Sequence, residues 1–196
     1  MQKQWLTQFS AYQSQLDDAA YLQSRIVFSC APTIAALKPA TLLNFGQTGR
    51  DLNRLWGTHR LEFPRRLGRS LGLTGYELRR QSGATLVLFF NRFALAATLY
   101  NPENRVYLEN LGYPVRFGIN SCLTYLKHRL KRCFPHEIGI FLGIPAADVT
   151  GFIENQGRNF IFNGYWKVYQ APERAQALFA RFDQARLEMI HAILRK

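Results

Sequence analysis

Two residues of this sequence, Cys30 and His136, carry side chains that could take part in covalent chemistry. Cys30 precedes Ala31-Pro32-Thr33, which predicts a helix beginning there, because proline suits a first helical turn. The positive end of a helix dipole favours the thiolate form of a cysteine. A histidine beside that thiolate would support acyl or thiol chemistry, with Glu137 or Glu154 orienting the imidazole. Cys30, His136 and Glu137 are therefore the candidate catalytic residues.

A structural role for these residues is the alternative. A lone cysteine is usually a small buried hydrophobe. No local signature of a known cysteine-enzyme family surrounds Cys30. The other cysteines, Cys122 and Cys133, form no CxxC pair with it and fit no metal motif. The sequence leaves open whether the chain is an enzyme.

The stretch from 134 to 169 concentrates aromatic and polar side chains that suit ligand binding. Prolines and glycines divide it into two short helices, and Asn163-Gly164 predicts a hairpin turn before a strand. A pocket is expected between the Cys30 helix start, the His136 helix start and the Trp166 strand. There, lysines would neutralise an anionic ligand and aromatic rings would stack on it. The candidate ligand-binding residues are Thr33, Lys38, Glu154, Asn155, Trp166, Lys167 and Tyr169.

Net charge is the strongest compositional anomaly, with 25 Lys and Arg against 13 Asp and Glu, or +12. Such a balance favours anionic partners: nucleic acid, a small anion, an acidic protein or a membrane surface. Aromatic residues are not interleaved with the eight arginines between 50 and 80, so nucleic acid is less favoured than a small anion. The alternative is a solvated surface without a partner. The candidate basic patch comprises Arg65, Arg66, Arg69, Lys127, Arg129, Lys131 and Arg132.

The composition is that of a globular chain, with 47% hydrophobic and 14% aromatic residues. No apolar run approaches the roughly 18 residues of a membrane span, and the first residues lack the apolar core of a signal peptide. We therefore expect a cytoplasmic protein. Nucleotide-binding and common hydrolase motifs such as GxGxxG, the Walker loop and GxSxG are missing from the sequence.

Hydrophobic periodicity predicts an α+β fold with a small, mainly antiparallel sheet covered by helices. Residues 76–81 and 84–90 read as a β-hairpin whose second strand, apolar on both faces, is central. Helices are expected over 4–22, 92–100, 102–111, 120–133 and 172–196, so that amphipathic helices stand at both ends. We expect residues 1–24 to form an added N-terminal helix and 25–196 a single domain.

Three elements of the carboxyl half resemble an uncharacterised bacterial family, domain of unknown function 3793, found mostly in anaerobes. They are HEIGIFLG at 136–143, GFIEN at 151–155 and GYWKVY at 164–169, and Cys30-Ala31-Pro32-Thr33 with Lys38 matches a further element near the start. Together these elements cover roughly 27–182. Many relatives carry cysteines just before GYWKVY, where this chain has Ile161, Phe162 and Asn163, so the resemblance implies no thiol or metal role at that position.

The resemblance implies a link to iron or redox metabolism. It makes a haem or flavin-type ligand compatible with the expected pocket, with His136 or Cys30 as axial ligand of a haem iron. We therefore predict a protein that binds an anionic small molecule or a redox cofactor, with thiol-dependent chemistry as an extension. The alternative is a basic adaptor for nucleic acid or for an acidic protein such as a flavodoxin.

Overall fold

The computed structural model describes residues 2–46, 50–63, 69–81 and 83–195. Its helices are α1 (Gln2–Ser14), α2 (Asp18–Ser29), α3 (Ala31–Ile34), α4 (Leu52–His59), α5 (Arg92–Tyr100), α6 (Pro102–Asn110), a 3-10 helix (Val115–Phe117), α7 (Ile119–Arg129), α8 (Ile138–Phe141), α9 (Ala146–Glu154) and α10 (Pro172–Leu194). Its strands are β1 (Ala40–Phe45), β2 (Leu73–Gln81), β3 (Ala84–Asn91), β4 (Phe162–Asn163) and β5 (Lys167–Val168).

The main sheet has three antiparallel strands in the order β1-β3-β2. Ala40 pairs with Phe90 at one end of the β1 ladder, and Gln81 pairs with Ala84 beside the hairpin turn. The predicted α+β class, the hairpin and the central position of its second strand are therefore confirmed. A second sheet consists of β4 and β5 alone.

Strand β3 is buried on both faces, because helices cover both sides of the sheet. Leu86, Leu88 and Phe90 pack among residues of α5 to α9. Val87 and Phe89 point the opposite way, as the two-residue period of a strand requires, and pack against α2 and α4. A third apolar cluster joins α10 to the β4–β5 hairpin.

The single helix expected over 4–22 is wrong. The chain instead forms α1 and α2, and the break comes at Asp17, whose carboxylate accepts a hydrogen bond from the Ala20 N–H at 2.8 Å. This is an N-cap, which satisfies a donor that the first turn of α2 leaves unpaired. Apolar periodicity continued across the break, and so it concealed the start of a new helix.

Strand β1 is not among the elements that the sequence predicts. The strand pairs along its whole length with β3. Its burial comes from this pairing rather than from a two-residue alternation of its own. The helix expected over 120–133 also ends earlier, at Arg129, which leaves Lys131 and Arg132 in the following turn.

Two glycines within helices test how tightly α9 packs. A Cβ added at Gly151 would lie 2.6 Å from Cγ of Tyr169, whereas one at Gly57 in α4 would meet nothing within 4 Å. We expect Gly57→Ala to stabilise the fold by about 0.5–1 kcal/mol, through helix propensity alone. Gly151→Ala should destabilise it by about 1–3 kcal/mol, because the ring must move. Urea unfolding of both variants checks this, and equal stabilities would contradict the close approach.

Candidate functional site

A mostly apolar cleft of about 330 Å³ lies between α8, α9 and the β4–β5 hairpin. All of its walls except Leu42 come from residues 134–167. Gly143, at φ +82°, ends the first of the two short helices, and a Cβ there would meet Cδ of Pro39 at 2.6 Å. The tight corner therefore depends on glycine, and it turns α9 across the end of α8. The lining of the cleft includes Phe134, His136, Asp148, Phe152, Trp166 and Lys167.

Asp148 holds the hairpin against α9. Its buried carboxylate accepts hydrogen bonds from Nε1 of Trp166 at 2.7 Å and from the backbone N–H groups of Tyr169 at 2.8 Å and Gln170 at 3.0 Å. A buried carboxylate is tolerated when donors of this kind surround it. The sequence predicts a short helix here, but no local pattern shows that Asp148 binds a segment about twenty residues later.

His136 and Lys167 bring the polar groups to the cleft. The exposed imidazole of His136 lies 5.1 Å from the ring of Phe152. Nζ of Lys167 donates a hydrogen bond to the Gly157 carbonyl at 2.7 Å and lies 5.0 Å from the ring of Phe160. The cleft thus combines an apolar interior with the ammonium group of Lys167, the imidazole of His136 and the carboxylate of Asp148, whose oxygens already accept hydrogen bonds from the hairpin segment.

Trp166 lines the cleft, but its ring has other partners. Its indole N–H is used by Asp148, and its ring stands edge-on to Phe179 of α10 at 4.4 Å. Trp166 and Lys167 therefore line the same cleft as His136, where the sequence analysis expected them. A ligand would meet a tryptophan ring that is already oriented, which lowers the entropy lost on binding.

Three other candidate residues lie across α9 in a second cavity. Glu154, Asn155 and Tyr169 help to line a space of about 610 Å³ that also contains Glu103 of α6. Helix α9 forms a wall of both spaces, because Asp148, Val149 and Phe152 face the cleft whereas Thr150, Gly151 and Glu154 face the cavity. The single expected pocket is thus divided in two.

Glu137 does not orient His136. It is buried, and its Oε1 accepts a hydrogen bond from the Tyr113 hydroxyl at 2.9 Å and lies 2.5 Å from Nε of Arg129. Burial, and next the neighbouring Glu137, raise the pKa of Tyr113. This cluster ties α7 to the start of α8. The cluster of Glu137, Tyr113 and Arg129 has a structural role, since none of the three residues lines the cleft.

Cys30 is fully buried, and the expected lowering of its pKa is wrong. Burial raises the pKa of the thiol to about 12, against smaller opposing effects of Lys38, Thr41 and Arg186. The residue also closes α2, because its own N–H donates to the Ile26 carbonyl at 2.8 Å. It stands as much at a helix C-terminus as at an N-terminus, and α3 has only four residues. The dipole therefore gives the thiolate little support.

Thr33 and Lys38 stay with Cys30, away from the cleft. The hydroxyl groups of Thr33 and Thr41 share a hydrogen bond of 2.7 Å in the interior. Nζ of Lys38 lies 5.7 Å from the ring of Phe182 in α10. His136 is not among the groups that influence the thiol of Cys30. The structure therefore does not bring the candidate nucleophile and base together.

The basic patch is only partly a surface. Arg65 and Arg66 lie outside the described residues. Lys127, Lys131, Arg132 and Arg69 are exposed, whereas Arg129 is half-buried and turned towards Glu137. The expectation that Arg129 faces outward with its neighbours is therefore wrong. Arg129 turns inward because its guanidinium neutralises the buried carboxylate of Glu137.

A haem does not fit the residues present. Cys30 is enclosed away from the cleft, and the cleft volume is near the lower end of the ~300–1,000 Å³ range of ligand pockets. A ligand of one or two rings suits this volume better than a macrocycle. Within the described ranges, no group of three or more His, Cys, Asp or Glu side chains is placed to hold a metal ion. Across the same residues, no helix is both long and apolar enough to cross a bilayer.

Fold and cleft together define an α+β chain whose family elements surround a small apolar cleft. The chain belongs to the family described as "Protein of unknown function (DUF3793)", whose model matches residues 26–196. The resemblance noted in the sequence is thereby confirmed, and α1 lies outside the match. No curated protein and no solved structure matches the chain.

Thiol labelling tests the burial of Cys30. Cys133 is exposed, whereas Cys30 and Cys122 are buried and burial raises the pKa of both thiols. We expect a disulfide reagent to modify Cys133 at once in the native protein, and the other two at least about 100-fold more slowly, because they wait for local opening. Cys133→Ser should remove the fast phase. Fast modification of Cys30 in that variant would restore it as a candidate nucleophile.

Proposed function

We propose that this chain is a cytoplasmic binding protein for a small molecule that joins an apolar ring to a negatively charged group. The ligand lies in the cleft between α8, α9 and the β4–β5 hairpin. The proposal depends on one observation: HEIGIFLG, GFIEN and GYWKVY, separated in sequence, each contribute side chains to this cleft.

Size and charge narrow the ligand class. The cleft has room for one or two rings, and its walls are mostly apolar. Lys167 supplies the fixed positive charge, and the oriented rings of Phe152 and Trp166 supply stacking surface. His136 lies at the exposed side, where it can donate a hydrogen bond to the ligand or exchange a proton with it.

Binding is favoured over thiol catalysis. The buried thiol of Cys30 remains protonated at neutral pH, since burial raises its pKa to about 12. It also contributes nothing to the lining of the cleft. A chemical step in the cleft would depend on His136 alone, without a carboxylate of the described residues hydrogen-bonded to its ring.

The fluorescent probe 1-anilinonaphthalene-8-sulfonate has the required chemistry, with fused rings and a sulfonate. We expect saturable binding to the wild type, weakened about tenfold by Phe134→Ala and by Lys167→Gln, which corresponds to ~1.4 kcal/mol each. The affinity for the uncharged analogue N-phenyl-1-naphthylamine should be the same in the wild type and in Lys167→Gln. Fluorescence titration measures all of these affinities.

Matched controls are available for both changes. Phe93 is 86% exposed on α5 and Lys131 is exposed after α7, and neither lines the cleft. Phe93→Ala and Lys131→Gln should leave the affinity for the sulfonate unchanged. Equal effects of control and cleft variants would show that the dye binds the surface in general, and the proposal would fail. If instead only the cleft variants weaken binding, native mass spectrometry of protein purified from its host without oxygen identifies the natural ligand.

A second candidate function is a basic adaptor for an acidic protein or nucleic acid. It is favoured by the exposure of Lys127, Lys131 and Arg132, none of which pairs with a carboxylate among the described residues. Lys127 instead lies 5.6 Å from the ring of Tyr76 on β2. These three cations continue from the end of α7 into the turn that leads to His136.

Salt dependence separates this candidate from the first. If the adaptor function holds, affinity for a flavodoxin or a single-stranded oligonucleotide should fall steeply with salt, because contacts between exposed charges are screened. Changing Lys127, Lys131 and Arg132 together to Glu should abolish binding, whereas Phe134→Ala should not affect it. Fluorescence anisotropy measures the affinity of each variant. If the triple change leaves the affinity unaltered, these three residues are not the docking surface.

A further inference from the structure

Two cationic side chains, Lys38 and Arg186, lie around one pair of aromatic rings where α3 and the start of β1 pack against α10. Nζ of Lys38 is 5.7 Å from the ring of Phe182, the guanidinium of Arg186 is 4.9 Å from the ring of Tyr165, and the two rings are 5.1 Å apart. Both cations are half-buried. Arg186 influences the ionisation of Lys38: burial, and next this neighbouring guanidinium, lower the pKa of the ammonium group to about 8. At neutral pH the ammonium group therefore keeps its charge, and two positive charges face the same interior region.

Neither cation has a carboxylate partner among the described residues. In the part of the chain that the structure describes, Arg186 is linked to an acid only through Tyr165, whose hydroxyl donates a hydrogen bond to Oδ1 of Asp183 at 2.5 Å. That hydroxyl accepts a hydrogen bond from Nη1 of Arg186 at 2.8 Å. Tyr165 thus stands between the arginine and the acid, and no direct ion pair neutralises Arg186.

One buried donor of Arg186 is left without an acceptor. Nε of Arg186 is enclosed and has no hydrogen-bond partner among the described residues. Its guanidinium lies 4.9 Å from the ring of Tyr165 and 5.8 Å from that of Phe28. The contact of the Lys38 ammonium group is with the ring of Phe182. Aromatic rings offset part of a buried charge, but they provide no acceptor in the plane of a guanidinium.

The two buried carboxylates of the described residues have complementary partners. Asp148 has three donors, and Glu137 has Tyr113 and Arg129. Buried polar groups that lack partners call for an explanation, and an ion held at the site is one. Cations within reach of each other and poor in acceptors form a site for an anion. The planar guanidinium favours an oxyanion over a halide, because it can bond to two oxygens at once.

We propose that Lys38 and Arg186 together bind a small oxyanion, a phosphate, a sulfate or the phosphate group of a larger molecule, at the junction of α3, β1 and α10. This site is distinct from the cleft, since neither residue lines it. It gives a function to the lysine of the Cys-x-Pro-Thr element and to an arginine on α10 that sequence analysis placed in no site.

The test uses sulfate, and sodium chloride of equal ionic strength as reference. We expect the melting temperature of the wild type to rise saturably with sulfate beyond the effect of chloride. The Nε–H resonance of Arg186, assigned by its loss in Arg186→Lys, should shift along the same saturation curve. Lys38→Met should weaken sulfate binding at least about tenfold. In sulfate-free buffer Lys38→Met should be as stable as the wild type or more so, because it removes an uncompensated charge.

Two further variants keep the result interpretable. Lys38→Arg retains the charge and should retain most of the sulfate response, whereas the exposed control Lys131→Met should retain all of it. If the melting temperature of Lys38→Met rises with sulfate as that of the wild type does, the effect is a general one on a basic protein, and the proposal is overturned. An Arg186 resonance that does not move with sulfate overturns it as well. Phenyl phosphate in place of sulfate distinguishes the sources: a matching shift shows that the site admits a phosphate group on a larger molecule, whereas a shift with sulfate alone restricts it to free ions.

Discussion

The carboxylate of Asp148 is the contact on which the carboxyl half of this protein depends. A charged group in the interior requires donors, and its three come from Trp166, Tyr169 and Gln170. All three belong to the segment that leads from the hairpin into α10. The hairpin has only two paired residues in each strand, too few to stabilise it alone. Asp148 therefore determines where the hairpin lies, and with it the shape of the cleft.

Helix α9 can separate two spaces because its faces differ chemically. One face presents Val149 and Phe152 to the apolar cleft, and the other presents Thr150 and Glu154 to the larger cavity, whose lining is of mixed polarity. Gly151 lets the ring of Tyr169 approach the helix closely on the side of the larger cavity. The two spaces are therefore built on one short helix, and a change that shifts α9 alters both.

The elements that were predicted correctly from the sequence are those whose own residues have a regular apolar spacing. The β2–β3 hairpin and α10 have regular apolar spacing, and both formed as expected. Strand β1 could not be predicted in this way, because its burial comes from pairing with β3. The candidate site was predicted in part: His136, Trp166 and Lys167 meet at one cleft. Glu137 is the next residue after His136, yet it turns inward to Arg129, and adjacency in sequence does not show which way a side chain points.

The partners of several positively charged side chains could not be predicted from the sequence either, because they come from other parts of the chain. A net charge of +12 indicated an anionic partner but no position for it. In the fold, Arg129 compensates a buried acid, Lys127 lies over a tyrosine ring, and Lys167 binds a backbone carbonyl beside the cleft. Lys38 and Arg186 are different, since both are half-buried without an acidic partner among the described residues. Their proximity joins residues 148 positions apart, and it exists only because α10 returns across α3.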